Sequence, residues 1–562
     1  MLKKIIFILL CIILNSNYSH AASNSNPTIA IDGKHNFFPA YSKDIKNYAM
    51  YDCHKKYIKF ALSNGKINIK YNDFFVNDQV RTYKGVSGGY SYDFTIRCLN
   101  NGWRQIDYKY NNLSKTGTGF ILGKFMYNAS IVSCPDENLC KSNATVLYIV
   151  DNNGVPMWYR YFQGHSNFTG FQLKGSKLEW FATRYMELAG QDNSEVSGRV
   201  MALDLKENNI ISNVIPYEIV DGVKVYPPID FHDYKSTDKY FYFISYVDKV
   251  VKPSSLSNIF SDDSKKVDKN LNPDIERKEA ICKGSDKILL RESRIIRTDK
   301  KGLVNWSYEI KNVPTYGVTI NIREEKNFIK CEIDLQHPNW LSLDDNESNI
   351  TVSLHNSGTY NIDIKNKEIN WVLSNEVNPY MRNADIDTSK LLKTLNDPMK
   401  GVTRTHSGSF INNSDLFLTF DNRMDQAEPA RAVIYKINKE KKTATFIKAL
   451  KSLENKCSLV NSTMYCMSRT MGNATIAPTG ELIVNWGERP GGKNVYTVYD
   501  KDYKPKLDVT YGSKVFFSYK HEYYDSKFFD KNFFSYDFLK STNNKNNYLL
   551  FIKTKFICDQ YC

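Results

Sequence analysis

Apolar and polar residues alternate along much of this chain. Six times the alternation is interrupted by an Asp or Asn in a short turn before it resumes. The stretches are VLYIVDNNGVPMWYR at 146–160, VMALDLKENNIISNVI at 200–215, SRIIRTDKKGLVNWSY at 293–308, TYNIDIKNKEINWVL at 359–373, AVIYKINKEKKTATFI at 432–447 and VYTVYDKDYKPKLDV at 495–509. Their anchors are Asp151, Asp204, Asp299, Asp363, Asn438 and Asp500. Period-two alternation on both sides of an Asx turn predicts a β-hairpin, because successive side chains of a strand face opposite ways and Asx side chains cap tight turns. Recurrence at a roughly blade-sized interval predicts an all-β fold, a six-bladed β-propeller. Such a fold gathers equivalent positions of every blade around one axis.

A second pattern precedes these hairpins. Segments opening at Asn167, His232, His337, His406 and Asn473 each show a short strand, a polar turn and another β-rich strand. If that opening is the innermost strand, His232, His337 and His406 converge at the channel mouth. One such histidine would be unremarkable as a hydrogen-bonded structural residue. Three at one phase of a repeat point to chemistry, since a blade has no general need of imidazole there.

The N-terminus changes the compartment. Lys3 and Lys4 precede the apolar run IIFILLCIIL, and Ser19-His20-Ala21 follows, which predicts a cleavable secretory signal over 1–21. No other stretch has the apolar length of a spanning helix. Removing the signal takes Cys11 and leaves ten of eleven cysteines, an even number suited to an oxidising compartment. Cys134/Cys140, Cys457/Cys466 and Cys558/Cys562 are spaced for local loop closures, whereas the pairing of Cys53, Cys98, Cys282 and Cys331 stays open. No Cys-x-x-Cys pair or spaced His cluster argues for a metal, and no cofactor is expected. The formal net charge of +14 includes Lys3 and Lys4. The aromatic residues sit in strand patterns and not among basic clusters, which argues against nucleic-acid binding.

Residues 22–130 lie outside the repeat and predict an N-terminal β-sandwich-like domain, with the propeller over 131–562. The charged stretch 251–285 reads as an exposed inserted loop, and DIDTSKLLKTLND near 385 as a short helix.

In order along the chain, VLYIVDNNGVPMWY, FHDY at 231–234, QHPNWLSLDD with SLHNSGTYNIDIKNKEINWVLS, THSGSFINNSDLFLTFDNRMDQAEPARAVIYKIN and GNATIAPTGELIVNWGERP resemble the bacterial periplasmic arylsulfate sulfotransferases. The resemblance spans most of 131–500. It implies a six-bladed propeller that moves a sulfuryl group from an aryl sulfate to a phenol without a nucleotide donor. It implies His406 as the nucleophile that becomes sulfohistidine in a ping-pong reaction, His232 and His337 as further catalytic histidines, and Asn339 as a substrate contact. It also implies a loop disulfide, Cys457–Cys466. The family carries an arginine where this chain reads Ser353-Leu354-His355, so the charge that meets the sulfuryl group would come from His355, Arg423 or Arg489. Tyr185 and Asn473 complete the candidate substrate-binding set.

The residue types suit that chemistry. Sulfuryl transfer, like phosphoryl transfer, depends on in-line positioning and on stabilising charge spread over peripheral oxygens. Imidazole, with an ordinary pKa of about 6.5, is an available neutral nucleophile. The implied partners are an aryl sulfate donor, a phenolic acceptor and a disulfide-forming oxidase system in the periplasm, with a homodimer as the expected assembly, no nucleic acid and no membrane span. A non-catalytic periplasmic binding or adhesion propeller is the competing reading. A quinone-dependent dehydrogenase propeller is disfavoured, because eight blades with Trp-rich repeats are not seen.

Overall fold

The computed structural model describes residues 28–525 apart from several stretches, the longest being 100–107, 128–143, 184–197, 257–274, 312–318, 376–387 and 512–519. The signal segment 1–21, Tyr185, Arg489, Cys134, Cys140, Cys457, Cys466, Cys558 and Cys562 lie outside the described residues. The chain divides into two compact units, Met1–Arg104 and Gln105–Cys562.

In the first unit, Thr28–Ile31, Lys56–Ser63 and Asn68–Phe75 form one sheet. Phe37–Phe38, Asn47–Met50, Tyr90–Cys98 and Val80–Ser87 form a second. Residues of both sheets, among them Tyr48, Ile58, Phe60, Tyr83, Phe94 and Ile96, share one core. That is the sandwich-like arrangement the sequence predicts, and a Cys53–Cys98 disulfide links the end of Tyr90–Cys98 to the turn before Lys56–Ser63.

The second unit is built from four-stranded antiparallel meanders, six of them among the described residues. The first is Asn167–Lys174, Lys177–Thr183, Arg199–Asp204 and Asn209–Val214. The second is Ile229–Ser236, Tyr240–Val251, Ile288–Asp299 and Val304–Glu309. The third is Pro338–Leu343, Asn349–Leu354, Gly358–Asp363 and Glu368–Leu373. The fourth is Thr405–Phe410, Leu416–Asp421, Arg431–Asn438 and Thr443–Leu450. The fifth is Asn473–Ile476, Leu482–Asn485, Asn494–Tyr499 and Pro505–Tyr511. In the sixth, Glu522–Asp525 comes from the far end of the chain and pairs with Gly119–Tyr127, which continues into Ala144–Asp151 and Pro156–Gln163.

Cores form between successive sheets. Tyr242, Ile244 and Ile295 of the second sheet pack with Leu341, Ile350 and Tyr360 of the third. Trp371 and Leu373 of the third meet Phe417, Val433 and Tyr435 of the fourth, and Leu418, Phe420 and Ile434 of the fourth meet Leu482, Val484 and Trp486 of the fifth. Sheets stacked face to face around a ring of first strands make a β-propeller, as the alternation predicts.

All six predicted hairpins are present, and each Asx anchor caps its own turn. Asp151 Oδ1 accepts from Asn153 N and Val155 N, Asp299 Oδ1 from Lys301 N and Leu303 N, and Asp500 Oδ1 from Asp502 N and Lys504 N. Asp204, Asp363 and Asn438 accept from the backbone amide three residues on. These side chains replace backbone acceptors in the turn, so the signal is legible locally.

Three details differ from expectation. Tyr108–Asn112 and Gly119–Tyr127 pair into the fifth and sixth sheets, so two strands before residue 130 belong to the second unit. Within 251–285, the helix Ile275–Lys283 packs with Leu256 on a small core of Cys282, Ile288, Ile320 and Ile333, and a Cys282–Cys331 disulfide fastens it. The sequence DIDTSKLLKTLND supplies a 3₁₀ turn, Thr388–Lys390, and a short strand, Lys393–Leu395, in parallel with Thr443–Leu450 instead of an α-helix.

Candidate active site

Local irregularities in the first strands aim the candidate side chains. The pairing register slips between Ile229 and Tyr234, between Pro338 and Trp340, and between Thr405 and Ser407. His232, Asn339 and His406 therefore sit on β-bulges, a device that redirects a side chain out of the normal alternation. Pro338 and Thr405 occupy equivalent ladder positions, so His406 corresponds to Asn339 of the preceding sheet. His337 corresponds to Arg404, and both adopt left-handed backbone, with φ of 51° and 54°. The three histidines thus do not share one phase of the repeat: His337 stands two positions before the equivalent of His406.

They nonetheless meet. The ring centroids of His232 and His337 are 4.9 Å apart, those of His337 and His355 5.7 Å, and those of His355 and His406 4.5 Å. His355 comes from the end of the second strand of the third sheet, and its backbone N donates to His337 O. Among the described residues, no three His, Cys, Asp or Glu side chains form a metal-binding group.

Each Nδ1 is anchored, and the partner decides the charge. His232 Nδ1 and N both lie against Asp230 Oδ1, at 2.7 and 2.6 Å, while Asp230 Oδ2 accepts from Tyr246 OH. His337 Nδ1 is 2.7 Å from Asp334 Oδ2, and its backbone N donates to Oδ1 of the same residue. His406 Nδ1 is instead 2.5 Å from the amide oxygen of Asn422. The Asn422 amide nitrogen donates to Ser468 O and Met471 O, which leaves Oδ1 as the atom facing His406. His406 therefore carries its proton on Nδ1 and its lone pair on Nε2.

The protonation states separate accordingly. Burial lowers the His406 pKa well below 6.5, with the His337 and His232 charges adding to it against the opposing Asn422 contact. Burial, His406 and Arg404 likewise push His355 well below 6.5. For His337 burial acts downward too, but the Asp334 carboxylate outweighs it and the pKa is raised. A neutral imidazole, His406, thus shares one cluster with His337, which holds its proton, the combination expected of a nucleophile and an acid.

The remaining sequence candidates divide. Asn339 Nδ2 donates to Thr405 O, while its buried Oδ1 has no hydrogen-bond partner among the described residues. Asn473, 1 % exposed, has neither amide atom paired among them. The strands bearing these two residues contact the Thr405–Phe410 strand from either side. Buried amides without partners are costly, and a polar ligand would satisfy them. Arg423 is committed elsewhere, donating to Asp421 Oδ2 and Gly401 O.

Sequence reasoning missed five residues here. Arg404 Nη1 reaches His355 Nε2 at 3.4 Å. Asp230 and Asp334 were legible as the Asp-x-His and Asp-x-x-His spacings. Lys520 is buried, donates to His232 O and Asn339 O, and pairs with Asp233. Burial lowers its pKa to about 8, against the pull of Asp233. His521 repeats the amide anchoring, with Nδ1 2.7 Å from Asn485 Oδ1 and Nε2 2.9 Å from Tyr148 OH. Burial, with Lys124 nearby, holds its pKa at about 3. The signal for His521 was a further His-led strand, HEYYD, after the last hairpin.

The fold and site define a β-propeller with a histidine cluster formed by its first strands. Residues 265–511 match the family model Arylsulfotransferase (ASST), which bears out the resemblance read from the sequence. The match takes in His337, His355, Arg404 and His406. No curated protein matches the chain. Among solved structures, the periplasmic gluconolactonase PpgL of Pseudomonas aeruginosa is 9% identical, with a TM-score of 0.33, covering 72% of this chain and 99% of that one. A protein of unknown function from Bacteroides thetaiotaomicron is 10% identical, with a TM-score of 0.28, covering 88% and 92%. Similarity this low carries no argument about activity.

Proposed function

We propose that this chain transfers a sulfuryl group from an aryl sulfate ester to a phenol through a sulfohistidine at His406, after export to the periplasm. The observation that carries the reading is the contrast at the site: His406 neutral with its lone pair on Nε2, beside a His337 that keeps its proton against Asp334. The family match supports arylsulfotransferase activity in the broad sense.

In the first half-reaction, His406 Nε2 attacks sulfur in line, an N–S bond forms and the S–O bond to the aryl group breaks. The departing phenolate takes the proton of His337 Nε2, and the phenol leaves. In the second, the acceptor phenol returns a proton to His337 as its oxygen attacks sulfur, and the N–S bond breaks. The two halves mirror each other, so one site serves both. Asp334 holds the His337 ring and favours its charged form, which is present when the phenolate departs and restored when the acceptor is deprotonated. The unpaired Nδ2 of Asn473 can donate to a substrate oxygen, and the unpaired Oδ1 of Asn339 can accept from a phenol hydroxyl.

The test is a chromogenic aryl sulfate incubated with purified protein, with and without added phenol. Release of the aryl product that depends on acceptor supports transfer. A flat trace with several donors contradicts it and favours a binding propeller.

A further inference from the structure

His355 has a hydrogen-bonding problem. Its Nδ1 lies 3.2 Å from His406 Nδ1, and its Nε2 lies 3.4 Å from Arg404 Nη1. His406 Nδ1 carries a proton, because Asn422 presents only its carbonyl oxygen there. Arg404 has only donors, since a guanidinium offers no acceptor and keeps its charge at any working pH. His355 therefore faces an N–H on both sides, yet a neutral imidazole has a single lone pair. Its burial, 7 % exposed, disfavours the charged form, which would have no lone pair at all. In either neutral tautomer one of the two contacts sets donor against donor. Every described partner of His355 is accounted for by these two nitrogens, its backbone bond to His337 and its ring contact with His337.

An oxygen acceptor resolves the conflict. If the single His406 Nδ1–H, held chiefly by Asn422 Oδ1 at 2.5 Å, is shared with His355 Nδ1 at 3.2 Å, then His355 Nε2–H and Arg404 Nη1–H converge as two donors that a single anionic oxygen can satisfy. The guanidinium is brought there by a backbone that an arginine rarely adopts, φ of 54°, in the position His337 fills one sheet earlier. Left-handed backbone at a large residue costs of order 1–3 kcal/mol and concentrates at functional sites. The other described arginine considered for this charge, Arg423, is bound to Asp421.

We infer that Arg404 and the Nε2–H of His355 form a two-donor cradle for a non-bridging oxygen of the sulfuryl group, next to His406. This identification of the anion rests on the proposed transfer reaction, whereas the cradle itself is a feature of the donors. It assigns the sulfuryl-binding charge to Arg404. His355 is then a substrate contact that also orients His406 through Nδ1. Bound oxygen would carry the negative charge that accumulates on it as the aryl group departs, which is where fixed donors act most strongly.

The probe is inorganic sulfate, titrated into the full-length protein carrying ¹⁵N-labelled histidine, with heat of binding measured in parallel. Sulfate should bind the native protein and move the His355 Nε2 resonance. Arg404→Gln should weaken sulfate by roughly 10- to 100-fold, the scale of a lost charged hydrogen bond. Arg404→Lys should recover part of the affinity, and thermal melts without sulfate show whether each variant is folded. Sulfate that leaves the His355 resonances unmoved in the native protein overturns the cradle, as does a folded Arg404→Gln that binds sulfate with native affinity. If the native protein binds sulfate through Arg404 but transfers nothing from aryl sulfates, the transfer reading fails and the oxyanion cradle stands.

Discussion

His406 Nδ1 is held at 2.5 Å by the side-chain oxygen of Asn422, an amide where His232 and His337 have carboxylates. The difference of one functional group keeps His406 neutral while its neighbour His337 is charged more readily. Replacing it should therefore move the chemistry in pH without moving atoms far. In Asn422→Asp a carboxylate beside the imidazole raises its pKa. Transfer at neutral pH should fall by about tenfold or more and recover as pH rises. A pH–rate profile unchanged from the native protein would show that the Asn422 contact does not set the charge of His406.

The native profile carries two limits with opposite signs. His406 has its pKa lowered, so it stays an available base until pH falls well below 6.5. His337 has its pKa raised, so its proton is retained above 6.5 and lost as pH climbs through that higher value. The rate should be bell-shaped, with apparent values that belong to the coupled cluster and not to single residues. Asp334→Asn should pull the alkaline limb to lower pH, which steady-state rates across pH would detect.

Stability should also depend on pH through a group that the proposed transfer does not use. His521 titrates near 3 in the folded protein against an ordinary value of 6.5. Between those values the unfolded chain binds a proton there that the folded chain does not, so stability declines as pH falls through the window. His355 and His406 act in the same direction, whereas His337 contributes stability at low pH that is lost as pH rises. His521→Gln should flatten the acid-side decline in melting temperature between pH 6.5 and 3. An unchanged slope would contradict the assignment.

Below His406, Arg431 is 1 % exposed and binds Asp397 through two nitrogens at 2.9 Å and Asp421 through Nε at 3.0 Å. Asp421 in turn accepts from Thr403 N and Arg423 N on either side of the bulged strand and Asn422. Arg431→Met leaves buried Asp397 without its cation and Asp421 with Arg423 alone, and should destabilise by about 3–5 kcal/mol. Urea denaturation measures it, and a loss below about 1 kcal/mol would mean the network is not what holds this sheet.

What the sequence disclosed was local. The Asx hairpins announce themselves because Asp151, Asp299 and Asp500 bond to amides within four residues, and the His232, His337 and His406 motifs survive as short strings. What stayed hidden depends on distant pairing. Glu522–Asp525 completes a sheet begun by Gly119–Tyr127, so beyond the His-led string HEYYD nothing nearby marked His521 as an inner residue, and nothing marked 119–127 as propeller. The ladder register that sets Pro338 level with Thr405 leaves no sequence mark, so His337 read as the counterpart of His406 when its counterpart is Arg404. Arg404, two residues before His406, carries no mark in the sequence. Its contact with His355 joins two sheets and follows only from their packing.

The central claim is that His406 carries the sulfuryl group between donor and acceptor. Its most direct test is peptide mass analysis after exposing the protein to an aryl sulfate without acceptor, then adding phenol. The account predicts one sulfuryl increment on the peptide containing His406, discharged by phenol and absent from His406→Asn. Transfer at the native rate by His406→Asn, or a phenol-dischargeable label on another residue, would contradict it.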